Sequence, residues 1–167
     1  PRKEALLRLG AVLAAVCLSV LVLATVQRNR MYASAETMWR DVIRKAPHNL
    51  RQQVALAAEL NQQGRCSESE AMARGLVERM RATRRLGLRP RHPIAATDPD
   101  VLYPEALQQL GLSLLGRGEV RGAIACFQEG AQLMSTRPLH HNLSVALAQD
   151  GRIDDAIREI DAAIERE

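Results

Sequence analysis

Hydrophobic and polar positions divide the chain into two unlike parts. From Leu9 to Val26 (LGAVLAAVCLSVLVLATV) eighteen consecutive residues carry no charge, with Arg8 before them and Arg28 and Arg30 after. A helix rising ~1.5 Å per residue makes this run about 27 Å long, close to the thickness of a bilayer's hydrocarbon core. Beyond it, apolar residues recur at the three- and four-residue spacing of helices that bury one stripe and wet the other. The pattern therefore predicts an all-α chain: one transmembrane helix, then a series of short amphipathic helices.

A cleaved signal peptide accounts poorly for the first segment. Its apolar run is longer than a typical leader core, and the nearest small-x-small triplet, Ala33-Ser34-Ala35, lies beyond the flanking arginines. A lipoprotein leader fails as well, because Val16 precedes Cys17 where a small residue is needed. Residues 1–30 are therefore expected to form a membrane anchor, with lipid around residues 9–26. Ala11, Ala15 and Ser19 recur every four residues and Gly10 with Ala14 forms a parallel row. Small residues on one ridge let a second membrane helix approach closely, so these three are the expected packing face for a membrane-embedded partner. Arg2, Lys3 and Arg8 precede the helix while Arg28, Arg30, Arg40, Arg44 and Lys45 follow it, a balance that favours a cytoplasmic carboxyl side.

The helical part repeats itself. Leu110, Gly111, Leu114, Gly118, Ala123 and Phe127 align with Leu143, Ser144, Leu147, Gly151, Ala156 and Ile160, each pair 33 residues apart and without a gap. The two leucines line one helix, the second glycine allows a turn, and the small residue sits where two helices cross closely. This spacing resembles the tetratricopeptide repeat (TPR), whose period is about 34. An earlier copy reads Leu56, Ala57, Leu60, Gly64 and Ser69, and Ala35, Trp39, Val42 and Pro47 match a second helix with its closing proline. The expected organisation is an anchor over 1–30, a half repeat over 31–49 and a degenerate repeat over 50–85. A Pro-rich insertion over 86–103 and two good repeats over 104–167 follow, together a short α-solenoid of antiparallel helix pairs.

The resemblance implies a protein-binding role on the concave face lined by the first helix of each repeat. It places Arg51, Val54, Asn61, Gln108, Leu112, Leu115, His141 and Val145 there, a mix that suits a helix or an extended peptide. Ile153, Ile157, Ile160 and Ile164 stripe the final helix, and no polar capping helix follows them. The junction RNRMYASAETMWRDVIRKAPHNLR also resembles the point at which TPR-tailed polytopic membrane glycosyltransferases of the O-mannosyltransferase-like kind enter their repeats. That resemblance implies catalytic residues upstream, none of them in this chain, and repeats on the periplasmic or lumenal side of a bacterial inner membrane.

Composition narrows the chemistry further. Aromatic residues make up 2% of the chain, too few for a base- or sugar-stacking groove, and no nucleic-acid partner is expected. All but two of the 23 basic residues are arginines. Seven of them, from Arg74 to Arg91, oppose only Glu78, whereas the last eighteen residues lean acidic. A solvated charged face accounts for that basic stretch, with an acidic partner or lipid headgroups as the alternatives.

Asp98-Pro99-Asp100 has the D-x-D spacing of some metal–sugar-nucleotide sites but reads as a turn into a helix starting near Pro104. His140 and His141 are adjacent and face different ways, so they do not chelate as a pair, and His92 is only a faint metal candidate. Asn142-Leu143-Ser144 fits a glycosylation sequon whose middle residue is a core position. No catalytic, metal or cofactor site is expected. The functional expectation is a non-enzymatic membrane-anchored TPR scaffold within a membrane complex; the alternative is the carboxyl-terminal tail of a polytopic glycosyltransferase that recruits acceptor protein.

Overall fold

The computed structural model describes residues 2–32, 34–87 and 99–164. Eight helices and no strand occur among them. They are α1 (Arg2–Met31), α2 (Ala35–Lys45), α3 (Leu50–Gln62), α4 (Cys66–Arg85), α5 (Pro99–Gly116), α6 (Val120–Leu133), α7 (Arg137–Gln149) and α8 (Ile153–Ile164). The chain is an all-α, TPR-like stack of hairpins preceded by one apolar helix.

Helix α1 contains a 19-residue stretch, Val12–Arg30, long and apolar enough to cross a membrane, and none of it is buried against the rest of the protein. Helix α2 is set off from it by a cap: the Ser34 side chain accepts a hydrogen bond from the Thr37 amide at 3.2 Å. Glu36 in the first turn of α2 and Arg44 and Lys45 in its last turn oppose the charges of the helix dipole.

Three hairpins, α3–α4, α5–α6 and α7–α8, turn in the same way. At each turn a glycine adopts a positive φ, 74° at Gly64, 81° at Gly118 and 80° at Gly151. The following amide then donates back to the leucine five residues earlier, Arg65 to Leu60, Glu119 to Leu114 and Arg152 to Leu147, each at 2.9 Å. This satisfies carbonyls that the first helix would otherwise leave open, and a Cβ would strain the turn. The small residue of each second helix, Ser69, Ala123 or Ala156, is buried where it meets its partner helix.

The core runs continuously through the hairpins because each pair of helices keeps a second apolar face for its neighbour. Helix α5 packs on α3 and α4 on one side and, with α6, meets α7 on the other. At the α5–α6 crossing a methyl group on Gly111 would lie 2.4 Å from the ring of the fully buried Phe127. Helix α2, expected as a half repeat, packs on α3.

The proline pattern misplaces the start of α5. It begins at Pro99, not near Pro104, and Pro104 lies inside it. Pro99 suits a first turn, where its missing N–H has no intrahelical acceptor. Pro104 forfeits one backbone bond, and the turn persists because Leu102 and Tyr103 are buried in the core. Asp100 is therefore helical, while Asp98 and His92 lie outside the described residues.

Gly111→Ala is expected to destabilise the full chain by about 1–3 kcal/mol, since neither the α5 backbone nor the enclosed Phe127 ring has room to move. The midpoint of chemical denaturation in detergent measures it, and Gly75→Ala, where a Cβ meets nothing within 4 Å, serves as the control.

Candidate interaction surface

The first helices α3, α5 and α7 carry the residues expected to line a concave groove, and the structure divides those residues. Arg51, His141 and Val145 are exposed. Gln108, Leu112 and Leu115 are half-buried, the two leucines packed against the core. Val54 is only 5% exposed and belongs to the core, so it offers no surface to a ligand. It turns inward because α3 must bury its apolar stripe against α4 and α5.

Asn61 is committed to the fold. Its amide donates to the Gln109 carbonyl at 3.0 Å and to the Gln109 side chain at 3.1 Å. Ser113 Oγ lies 2.9 Å from Asn61 Oδ1 and 2.9 Å from Ser69 Oγ, and Ser69 donates to the Ala57 carbonyl at 2.8 Å. Ser69 and Ser113 are fully buried, so this chain satisfies polar groups at the α3–α5 contact and cannot be given up to a ligand without cost.

Much of the arginine-rich stretch is committed as well. Arg74 meets Glu70 at 2.6 Å, Arg79 reaches Gln53, and Arg81 meets Glu129 at 2.8 Å and Tyr103 Oη at 3.0 Å. Arg84 lies over the Tyr103 ring, 5.2 Å from its centroid. Arg89 and Arg91 lie outside the described residues. Hydrogen bonds from Arg74, aided by Arg117, hold the Glu70 carboxyl below its ordinary range, which stabilises the fold above that range and less so in acid. Burial pushes the Tyr103 hydroxyl up, and its bond to Glu129 acts in the same sense. Burial likewise drives the Cys126 thiol up to about 11, so it stays protonated and unreactive.

The hairpin α7–α8 holds one further polar chain, which the sequence reading missed. His140, read only as half of an adjacent pair, places Nε2 2.7 Å from Ser135 Oγ and Nδ1 2.6 Å from a Glu159 oxygen. These groups line a depression of about 450 Å³ with Gln128, Gln132 and Leu143. Serine, imidazole and carboxylate in that order match the spacing of a hydrolytic triad. The oxyanion donors of such a site are not provided by the nearby turn of α7: the Leu139 and His140 amides both bond to the Thr136 carbonyl, at 3.1 and 3.2 Å, and Pro138 has no N–H. The chain acts as a clamp tying α8 to the α6–α7 loop. Among the described residues no group of three His, Cys, Asp or Glu side chains is placed to hold a metal.

Outside α1, an open apolar surface lies on α8. Ile153, Ile157, Ile160 and Ile164 are 54%, 51%, 45% and 62% exposed along one side of the helix. Asp154 and Asp161 flank them, while Ala156 and Ala163 turn inward against α7. On α1, Ala15 and Ser19 are exposed, and the Ser19 hydroxyl donates to the Ala15 carbonyl at 2.9 Å; the Ala11 side chain lies outside the described residues. Glu159→Ala is expected to speed amide hydrogen exchange across α8 about fivefold, through loss of a bond worth ~1 kcal/mol, while α5 and α6 stay protected. Unchanged exchange in α8 would show that the clamp does not hold it.

No family model matches the chain, and no relative is found among curated proteins. Among solved structures, "MamA MSR-1 C2" is similar with a TM-score of 0.53 and 19% identity, over 85% of this chain and 70% of that one. A second structure, "Crystal structure of MamA", covers 84% of this chain and 91% of its own at 16% identity and a TM-score of 0.39. At 19% identity the first likeness is one of fold, and that fold is a TPR-like stack of helical hairpins.

Proposed function

We propose that the chain is a membrane-anchored, non-enzymatic TPR scaffold that brings a protein partner into a membrane complex. The observation that carries this reading is the uncovered isoleucine stripe of α8. Four aliphatic side chains in line along a helix about half exposed to water are costly to leave wet, at roughly 25 cal/mol per Å² of apolar surface. In a solenoid, that side of a second helix is where the next first helix packs. The partner is an amphipathic helix whose apolar side covers the stripe and whose basic flank meets Asp154 and Asp161. Arg51, His141 and Val145, the exposed members of the expected groove, extend the docking surface along the first helices.

The anchor is α1. Its Val12–Arg30 stretch is apolar and unburied, so a bilayer or another membrane helix is the environment that accommodates it. The ridge of Ala11, Ala15 and Ser19 is the contact proposed for a membrane-embedded subunit.

A photoreactive amino acid at position 157, in native membranes, is expected to form one discrete cross-linked product. Ile153→Asp with Ile160→Asp should lower its yield at least tenfold while far-ultraviolet circular dichroism stays unchanged, because both side chains point to water. No product, or one indifferent to the aspartates, would overturn the docking reading. An intact native polypeptide several times heavier than 18.4 kDa would favour the alternative, a TPR tail of a polytopic glycosyltransferase, for which the junction residues 28–51 speak.

A further inference from the structure

Where α1 leaves its apolar stretch it forms, with the end of α2, a cavity of about 540 Å³ lined by Ala24, Gln27, Arg28, Arg30, Tyr32 and Lys45. The residues are layered by polarity. Ala24 lies toward the apolar part of α1, the exposed Tyr32 follows the last turn, and the cations lie between and beside them. Tyrosine and arginine at the end of a membrane helix favour the depth of the lipid headgroups, where a ring stays half apolar and a guanidinium reaches water and phosphate.

The charge around this cavity is not balanced from within. Among the described residues no ion pair engages Arg28 or Arg30. Lys45 lies 2.5 Å from Asp41, but Asp41 also takes Arg44 at 2.6 Å, so one carboxylate serves two cations. Hydrogen bonds from Lys45 and then Arg44 keep that carboxyl ionised by holding it below its ordinary range. Arg28, Arg30, Arg44 and Lys45 against Asp41 leave an excess of positive charge beside a wall that is apolar on one side and phenolic on the other. A guanidinium matches the oxygens of a phosphodiester, and the apolar wall matches the glycerol and upper acyl chain next to it.

We propose that this cavity binds the headgroup of an anionic phospholipid. The proposal rests on α1 being the membrane helix. An anionic lipid is favoured over a zwitterionic one because the latter's own ammonium would be brought against Arg28 and Arg30. Each bound cation adds attraction that falls off within a Debye length, so the preference weakens with salt.

The test uses the full chain in phosphatidylcholine vesicles with spin-labelled phosphatidylglycerol or spin-labelled phosphatidylcholine, and reads the fraction of motionally restricted label. Restriction of the phosphatidylglycerol label is expected to exceed that of phosphatidylcholine several-fold and to weaken in high salt, with added inorganic phosphate competing poorly. Arg28→Gln with Arg30→Gln should abolish the difference between the lipids while the chain stays in the membrane fraction at alkaline pH. Equal restriction of the two lipids by an inserted wild-type chain would overturn the headgroup site and leave the anchor intact. Full competition by inorganic phosphate would show a free-anion site and overturn the lipid assignment. A chain that leaves the vesicles at alkaline pH would overturn the membrane reading and the proposal with it.

Discussion

At Gly111 the α5 backbone lies so close to the Phe127 ring that a single methyl group has no place, and this close approach sets the spacing of the α5–α6 hairpin. The hairpin is the middle of three, touching α3 and α4 on one side and α7 on the other, so its spacing is passed to both neighbours. A hairpin of two short helices cannot bury both its apolar faces alone, and the fold exists because neighbours share one core. Small residues recur where it is tightest, at Ala57 and Ser69, at Gly111 and Ala123, and at Ser144 and Ala156. One period position changes use between repeats although both residues are large and apolar: Phe127 is enclosed, whereas Ile160 is half exposed to water.

Arginine does much of the work that lysine and aromatic residues do elsewhere. With aromatic residues at 2% of the chain, Tyr103 is one of few rings, and Arg81, Arg84 and Glu129 gather around it to join α4, α5 and α6. Arg65 joins α2 to the α3–α4 turn through Glu36 at 2.7 Å and Glu68 at 2.6 Å. These planar cations bridge two acceptors at once, which a lysine does poorly. The basic stretch of α4 is consequently part of the packing as well as the surface.

The architecture was legible in the sequence because it is periodic. A period of 33 fixed by Leu110 and Leu143, Gly118 and Gly151 carries helix, turn and crossing together, and the turns share one hydrogen bond and one φ. The eighteen uncharged residues of α1 were equally plain. What the period does not encode is which polar residue a neighbouring repeat consumes. Asn61 reaches Gln109 and Ser113 across 48 and 52 positions, and His140 meets Glu159 through the turn of a hairpin. Val54 was read as surface because the repeat alignment gives a face to each position and no measure of how tightly α3 is covered. The start of α5 was missed because proline marks a helix boundary only where burial does not oppose it; Leu102 and Tyr103 oppose it here.

Among the described residues two apolar surfaces are exposed, one along α1 and one along α8. The proposed scaffold has α1 in a bilayer and α2–α8 folded outside it. The most direct measurement compares alkaline carbonate extraction of membranes holding the full chain or a chain lacking residues 2–32. The full chain should stay in the membrane pellet and the shortened chain should be released with its helical circular dichroism retained. Release of the full chain, or retention of the shortened one, would contradict the account.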